Sequence, residues 1–597
     1  MFERNGKLIQ GVFKKYLLPT ILMTMALSMG LIVDGIIVGN TLGSDALAAV
    51  NLVLPVSLCF NTVYVMFGIG GSVLASIAKG KRENHRADVL FTLSVLMMLA
   101  VSLVFLFAGS FLSSNLARLL AGGSNLQPLT AAYLETFIYG APLLIVVPGI
   151  VYFVRADGRP NLASAVLIVA NVVNLALDLV FILGFQMGIR GAALASVIGY
   201  AAGFLVLLIY FLKKGRSLHF TSFHRKELKT ATKIIVCGTP SAVGSCLMFV
   251  KILSINAIVL ARIGSLGMVA FSVCLSCLSF VSMFIAGVAQ TMMPIVATLY
   301  GEKDYAGVRF TVKRALQIVM LSSVLLVIVF ELFPNVVLHL FGINNTMELS
   351  LGSQAIGMFA LSLIGTGFSF IMLYYFQIIQ RSALATTIAV VQGFVVVVPS
   401  AFLLSAFWGS YGIWISFSLA EIAVFILILI VTKCLAKRSG GKLKGLFLLA
   451  RPAMEEQLLD VTIGNERSEA VGLSEKVIQF CLAHRVEAKT ASHIGLAVEE
   501  MTVNTIEHGY KKNDKNYIDI MIRIKEDEVI IALRDNGMPF DPTLYKEEDE
   551  NTYSCSGILL VKALAQSIDY TRLIGLNSTI ISLACHQGKD IAGRKND

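Results

Sequence analysis

Apolar residues dominate from about position 16 to position 433, in runs of roughly 20 that match the length of a helix crossing a hydrocarbon core about 30 Å thick. The clearest lie at 91 to 112, 191 to 212, 355 to 379 and 411 to 433, and about twelve can be counted. The first follows Lys14 and Lys15, has no small-residue cleavage site and is succeeded at once by further spans. It is therefore expected to remain as the first membrane helix, not to be a cleaved signal peptide. Beyond Lys433 the pattern changes: KCLAKRSGGKLKG reads as a basic, glycine-containing linker, and from about Met454 the chain has an ordinary soluble composition. There the alternation at 517 to 525 and 528 to 534 predicts strands, and the spacing at 474 to 485, 490 to 509 and 557 to 567 predicts helices. An α/β sandwich is expected.

The apolar part repeats. A shift of 221 residues places Pro19 on Pro240, Gly43 and Ser44 on Gly264 and Ser265, Ala49 on Ala270, Gly80 on Gly301, Gly188 on Gly409 and Gly191 on Gly412. Two six-helix halves with an even number of spans each make parallel repeats, an architecture whose substrate path lies between the halves. The expected organisation is a first repeat at 1–212, an inter-lobe linker at 213–233, a second repeat at 234–433, a basic linker at 434–452 and a soluble domain at 453–597.

Composition agrees: 56% of residues are hydrophobic and 14% charged, and the mean hydropathy of +0.77 excludes a soluble globular protein. The net charge of +10 divides unevenly, because residues 1 to 452 hold 32 Lys+Arg against 14 Asp+Glu and residues 453 to 597 hold 16 against 24. The basic residues sit in short loops between spans, where they orient helices, so nucleic acid is not the expected partner. The loops 79–88, 155–161, 213–233 and 301–314 carry them, whereas the alternate loops keep only Arg118, Arg190 and Arg262. This predicts a multi-pass protein of the cell membrane with its N-terminus and soluble domain in the cytoplasm. The nine cysteines are scattered, and Cys274 with Cys277 read as small packing residues of one helix face, not as a zinc or disulfide framework.

Chemistry is expected where polar groups interrupt the apolar runs. Asp34 lies in LIVDGII, where an ionisable group costs at least about 2.5 kcal/mol at the bilayer centre and usually marks an ion or proton path. Asn174 and Asp178, four apart, share one face of a later span. These three oxygen-bearing side chains can hold a sodium ion or share a proton. Repeat-related positions are Ile255 and Pro399, so the coupling chemistry should be confined to the first half. Glu421 is central in the last span and Lys251 lies in the seventh, the latter able to snorkel or pair with a carboxylate.

The segments LSMGLIVDGIIVGNTLGSDALAAV at 27–50, FVRADGRPNLA at 153–163 and NVVNLALDLVFILGFQMGIRGAALASV at 171–197 resemble the MATE family of multidrug and toxic-compound exporters, and the resemblance covers essentially residues 1 to 433. It implies that Asp34, Asn174 and Asp178 line a cation or proton site in the first lobe, with Ser196 where many members have threonine. Glu421 fits the family's tendency to place a glutamate in the last helix.

In the soluble part, AVEEMTVNTIEHGY at 497–510 sets Glu500, Asn504 and His508 on one helical stripe, a carboxylate one turn before an amide. That order suits a general base beside a magnesium ligand. Together with RDNGMPFDP at 534–542 and SCSGILLVKAL at 554–564, it resembles the ATP-binding boxes of the GHKL superfamily, most closely the RsbW-type anti-sigma-factor serine kinases. The resemblance implies ATP with Mg2+, Glu500 as catalytic base, Asn504 as magnesium ligand, and His508 on the same stripe of the nucleotide pocket. Asp535 and Gly537 would line the adenine side, Gly557 would be a lid residue and Thr579 would lie near the adenine. The lid departs from G-x-G, with Cys555 before Ser556 and Gly557.

The function expected is a secondary antiporter exporting organic cations or amphiphilic drugs in exchange for H+ or Na+, with Asp34 and Asp178 as possible sodium ligands. The soluble domain would regulate it or signal to a cytoplasmic protein partner. No G-x-x-x-x-G-K-[ST] loop is present to suggest an ATP-driven pump. The alternatives are a membrane-anchored serine kinase with a transporter-like sensor, and a lipid-linked oligosaccharide flippase.

Overall fold

The computed structural model of the chain describes residues 4–585 except 123, 214, 342, 344, 442, 451–456, 511–514, 526 and 546–555. It separates into two compact units. One comprises Lys15–Ser439 and Gly445–Leu448; the other comprises Met1–Lys14, Gly440–Lys444 and Leu449–Asp597.

The first unit is helical. Its first half contains α1 (Lys7–Leu42) from Lys15 onward, α2 (Ser44–Gly80), α3 (Asn84–Ala121), α4 (Gln127–Tyr139), α5 (Ala141–Ala156), α6 (Pro160–Leu179) and α7 (Ile189–Leu212). Its second half contains α8 (Lys229–Arg262), α9 (Ser265–Gly301), α10 (Tyr305–Leu332), α11 (Pro334–Leu340), α12 (Thr346–Ala360), α13 (Ser362–Ile378), α14 (Ser382–Val390), α15 (Val397–Trp408) and α16 (Ser410–Arg438). Among the described residues, eleven helices or continuous helical runs are long and apolar enough to span a bilayer, and the pair α4 and α5, bent by 53°, makes a twelfth.

The repeat is physical. The bounds of α2 and α9 differ by 221 residues at both ends, as do the starts of α3 and α10, α5 and α13, and α7 and α16. The matched glycines explain the shared punctuation, because Gly43 and Gly264 precede α2 and α9 at φ 90° and 82°, and Gly188 and Gly409 precede α7 and α16 at φ 61° and 57°. L side chains are strained in that left-handed region, whereas glycine enters it freely. Two π-helical turns break the correspondence: Val180–Gly184 directly follows α6, and Val391–Val395 follows α14. Such turns are concentrated at functional sites. The halves meet through close backbone contacts, as at Gly238, where a Cβ would lie 1.9 Å from the Met66 carbonyl oxygen. They also meet through polar bonds, with Arg155 donating to Gln290 Oε1 at 2.7 Å and Thr24 to the Met283 carbonyl at 2.9 Å.

The second unit carries a short hairpin, β1 (Leu443–Lys444) with β2 (Leu449–Ala450), and then β3 (Gln457–Gly464), α17 (Arg467–Ala483), α18 (Ala488–His508), β4 (Tyr517–Ile524), β5 (Glu528–Asp535), α19 (Ser556–Leu564), β6 (Ser567–Leu573) and β7 (Leu576–Ala584). Five strands form an antiparallel sheet in the order β3-β4-β5-β7-β6. Val477, Ile494 and Val498 from the helices pack with Ile520, Ile531 and Ile581 from the strands in one apolar core. The predicted strands at 517 and 528 and the predicted helices are present, but α17 begins at Arg467, well before 474. The Glu469 carboxylate accepts the Gly464 N–H at 2.6 Å and fixes that earlier start.

Candidate functional site

In the first repeat, α1 contributes Asp34 and α6 contributes Asp178, and the two carboxyl groups are close enough to interact directly. Asp178 is fully buried, and no described group donates a hydrogen bond to either of its oxygens or to Asp34 Oδ1. Buried polar atoms normally find partners, so three acceptors without a donor from the rest of the protein make this pair a candidate site. Asn174, one turn before Asp178, donates instead to Ser196 Oγ on α7 at 3.2 Å. The close approach of α1 to α6 depends on Gly30, where a Cβ would lie 2.0 Å from Asn171 Oδ1. Buried Tyr133 of α4 lies within electrostatic reach of both carboxyl groups. Sequence reasoning missed Tyr133 because a tyrosine in an apolar helix carries no charge signal. Among the described residues no group of three His, Cys, Asp or Glu side chains forms a metal cluster, so a sodium ion here would need neutral oxygens as well as the two acids.

In the second repeat, Glu421 of α16 stands apart from these residues in its own polar shell. Its Oε1 accepts from the Thr366 hydroxyl and the Gln392 amide, both at 2.8 Å, and its Oε2 accepts from the Ser369 hydroxyl at 2.6 Å. Gln392 belongs to the second π turn, just as Asp178 adjoins the first.

In the sheet unit, Glu500 and Asn504 lie half-buried on α18, and His508 is exposed at its last turn. Gly557, in the first turn of α19, sits against Glu500, for a Cβ there would fall 1.9 Å from Glu500 Oε2. Cys555 lies outside the described residues. Asp535 closes β5 opposite Asn577 of β7, and the next non-adjacent pair on the same face is Leu533 with Thr579. Asp535 Oδ1 accepts from the Gly537 N–H at 2.7 Å and from the Asn577 amide at 2.8 Å, while Oδ2 has no hydrogen bond among the described residues. Burial pushes the Asp535 carboxyl above the usual aspartate range, against the opposing pull of those two donors and the Arg572 charge. Asn577, absent from the sequence reading, organises this corner. It accepts from Tyr570 at 2.9 Å and from Arg572 at 2.6 Å, and gives its second amide proton to the Met538 carbonyl at 3.0 Å.

The MatE family profile matches residues 19–180 and 240–403, and the profile of the histidine kinase-like ATPase domain matches 467–584. "Multidrug export protein MepA" of Staphylococcus saprophyticus is 26% identical over 382 residues, which cover 63% of this chain and 83% of that protein. "Probable multidrug resistance protein YoeA" of Bacillus subtilis is 26% identical over 334 residues, 55% of this chain and 72% of its own. An outward-facing multidrug resistance MATE transporter of the MOP superfamily superimposes with a TM-score of 0.67 at 20% identity, covering 74% of this chain and 100% of its own. A MOP superfamily transporter from Pyrococcus furiosus, described by the reverse polarity of its binding pocket, reaches 0.66 at 20% identity over 73% and 99%. With both repeats matched over more than half of its length, the chain belongs to the MatE family of multidrug efflux transporters and carries a histidine kinase-like ATPase domain after its membrane helices.

Proposed function

We propose that the protein is a secondary antiporter of the cell membrane that exports organic cations or amphiphilic drugs in exchange for H+ or Na+, and that Asp34 and Asp178 carry the exchange. The observation behind this reading is the adjacency of two carboxyl groups whose oxygens lack protein donors. Two such acids in a low-dielectric interior cannot both stay ionised without compensation. A proton, a sodium ion or the cationic group of a substrate each supplies it, and occupation by one discourages the others. That mutual exclusion is the thermodynamic basis of exchange. Asn174 and Ser196, held together across α6 and α7, would supply neutral oxygens to a sodium ion, and Glu421 would serve a separate site in the second lobe.

The sheet unit would bind ATP as a regulator, on the cytoplasmic side to which the lysine and arginine distribution assigns it. The unengaged Asp535 Oδ2 suits an adenine amino group, Gly537 leaves room beside it, and Asn504 with Glu500 would hold Mg2+ and activate a hydroxyl. ATP bound there would supply a transferable phosphoryl group to a protein partner.

Reconstituted vesicles test the transport reading. An imposed proton or sodium gradient, without ATP, should drive uptake of a fluorescent organic cation, and Asp34→Asn should abolish it. Transport that persists without any ion gradient, or survives in D34N, would overturn the reading.

A further inference from the structure

The interior of the second repeat holds a cavity of ≈ 230 Å³ whose lining includes Lys251 of α8 and Glu421 of α16. The two are near enough for their charges to interact, yet they form no ion pair within 4.0 Å. Glu421 is anchored: Oε1 already faces two donors, and Oε2 faces one, leaving one of its two acceptor positions unused. The Thr366 hydroxyl lies 3.0 Å from the Ser362 carbonyl as well, so its single proton is shared between that oxygen and Oε1. Lys251 is the opposite case. It is half-buried, and none of its three donors reaches an acceptor among the described residues. An ammonium group held at membrane depth with no acceptor is costly unless a ligand satisfies it.

We propose that this cavity is a binding site for a zwitterionic group, with the ligand's cation against the open position of Glu421 and its anion on Lys251. The charge balance decides the class. A simple cation would be attracted by Glu421 and opposed by Lys251, and a simple anion would meet the reverse. A zwitterion leaves the net charge of the cavity unchanged: its anion accepts from the unused donors of Lys251, and its cation lies against the Glu421 carboxylate by charge alone. Size agrees, because 230 Å³ is the liquid volume of roughly seven or eight waters, enough for a trimethylammonium-carboxylate headgroup. Apolar wall residues Met248, Phe370 and Phe417 would take the adjoining chain of an amphiphile. The first-lobe site differs in kind, as it offers two acids and, among the described residues, no lysine or arginine charge acting on them. The second lobe would therefore hold a dipolar amphiphile in addition to the positive charges that compete at the first-lobe pair. This inference rests on the export reading, since it names the substrate class of the second lobe.

Equilibrium binding to the full-length protein in nanodiscs tests it, with dansylated alkyl betaine, alkyl trimethylammonium and alkyl carboxylate probes of equal chain length. The betaine should bind tightest. Lys251→Met should weaken it at least tenfold and make the trimethylammonium probe the preferred ligand, whereas Glu421→Gln should make the carboxylate probe preferred. Comparing discs of phosphatidylglycerol with discs of phosphatidylcholine separates the possible sources. Competition confined to phosphatidylcholine discs assigns the site to a lipid headgroup, and equal binding in both assigns it to a soluble amphiphile. An unchanged order of preference in both single variants, or betaine binding by the folded double variant K251M/E421Q equal to that of the unaltered protein, would overturn the inference. Because no gradient is applied, failure here is distinct from failure of the export reading, which D34N tests by transport.

Discussion

Gly80 and Gly301, the last residues of α2 and α9, pack backbone to backbone: a Cβ on Gly301 would lie 3.0 Å from the Gly80 Cα and 2.3 Å from the Ile77 carbonyl oxygen. A Cβ on Gly80 would lie 2.3 Å from the Thr298 carbonyl oxygen. Residues equivalent in the two repeats thus touch each other, which places them at the pseudo-symmetry axis where halves that rock against each other must pivot. Gly80→Ala or Gly301→Ala should cost about 1–3 kcal/mol of stability, the usual range for overpacking. Either should also lower transport several-fold. Gly11→Ala is the control, because a Cβ there meets nothing within 4 Å and should leave both measurements unchanged or slightly improved. Thermal unfolding in detergent, paired with vesicle transport, checks all three.

The direct interaction of Asp34 with Asp178 makes a second prediction, about non-additivity. If the pair handles one positive charge as a unit, removing either acid removes the unit. Asp34→Asn and Asp178→Asn should each reduce gradient-driven transport at least tenfold, and the double variant should be no worse than either single one. Independent sites would instead show losses that multiply. Tyr133→Phe, which keeps the ring beside the pair and deletes its hydroxyl, should leave transport partly intact and shift its pH profile.

How much of this was legible beforehand differs residue by residue. Asp34 and Asp178 stand out because a carboxyl inside an apolar run has no cheap explanation, and the matched glycines stand out because positive φ leaves little choice of residue. Tyr133 and Asn577 carry no such mark; their importance comes from what the fold sets beside them. Three strands of the sheet, β3, β6 and β7, are absent from the sequence-based expectation; β7 lies inside the sheet and is buried on nearly every residue, so it lacks the alternation that revealed β4 and β5. The 53° bend between α4 and α5 is likewise invisible in hydropathy, which sums over both pieces of the span.

At the ATPase site, protonation and nucleotide binding should oppose each other. The buried Asp535 carboxyl titrates above the usual aspartate value of about 3.9, and its ionised form is the better acceptor for an adenine amino group. Nucleotide affinity should therefore be full above that raised pKa and fall as the pH drops through it, earlier than an ordinary carboxylate would allow. Asn577→Ala removes a donor that favours the ionised form, so the midpoint should move to higher pH. The same change should destabilise the domain by about 1–3 kcal/mol, since Asp535, Tyr570 and Arg572 all lose a partner. Asp535→Asn should cut nucleotide binding at least tenfold without destabilising the unliganded domain, because the ionised carboxyl is what burial penalises. Calorimetric titration of the full-length protein across pH 4 to 8 separates these outcomes; a pH-independent affinity would remove Asp535 from the site.

The last prediction concerns the N-terminal segment, which belongs to the sheet unit. Arg4 donates to Asp460 Oδ2 at 2.9 Å and reaches Asp519 Oδ2 at 3.5 Å, with side-chain exposures of 10%, 19% and 5% for the three residues. The Asp519 carboxylate also accepts the Thr462 hydroxyl at 2.7 Å, and Thr462 Oγ1 in turn accepts the Asn5 N–H at 3.3 Å. Lys7 completes the attachment over the Tyr517 ring at 4.9 Å. Asp460 and Asp519 lie two residues out of register on neighbouring strands β3 and β4, so their charges share one patch of the sheet, and Arg4 neutralises it. Arg4→Ala would leave two part-buried carboxylates together and should cost about 1–3 kcal/mol, the range for losing a charged hydrogen-bond partner that water only partly replaces. Arg4→Lys should recover only part, because an ammonium lacks the planar fork that spans two acids. Hydrogen exchange on the full-length protein reads the result directly: faster exchange in R4A at β3 and β4 and along residues 4–14, with β6 and β7 unaffected, is the expected pattern. Exchange equal to that of the unaltered protein would show that the segment contributes nothing to the sheet.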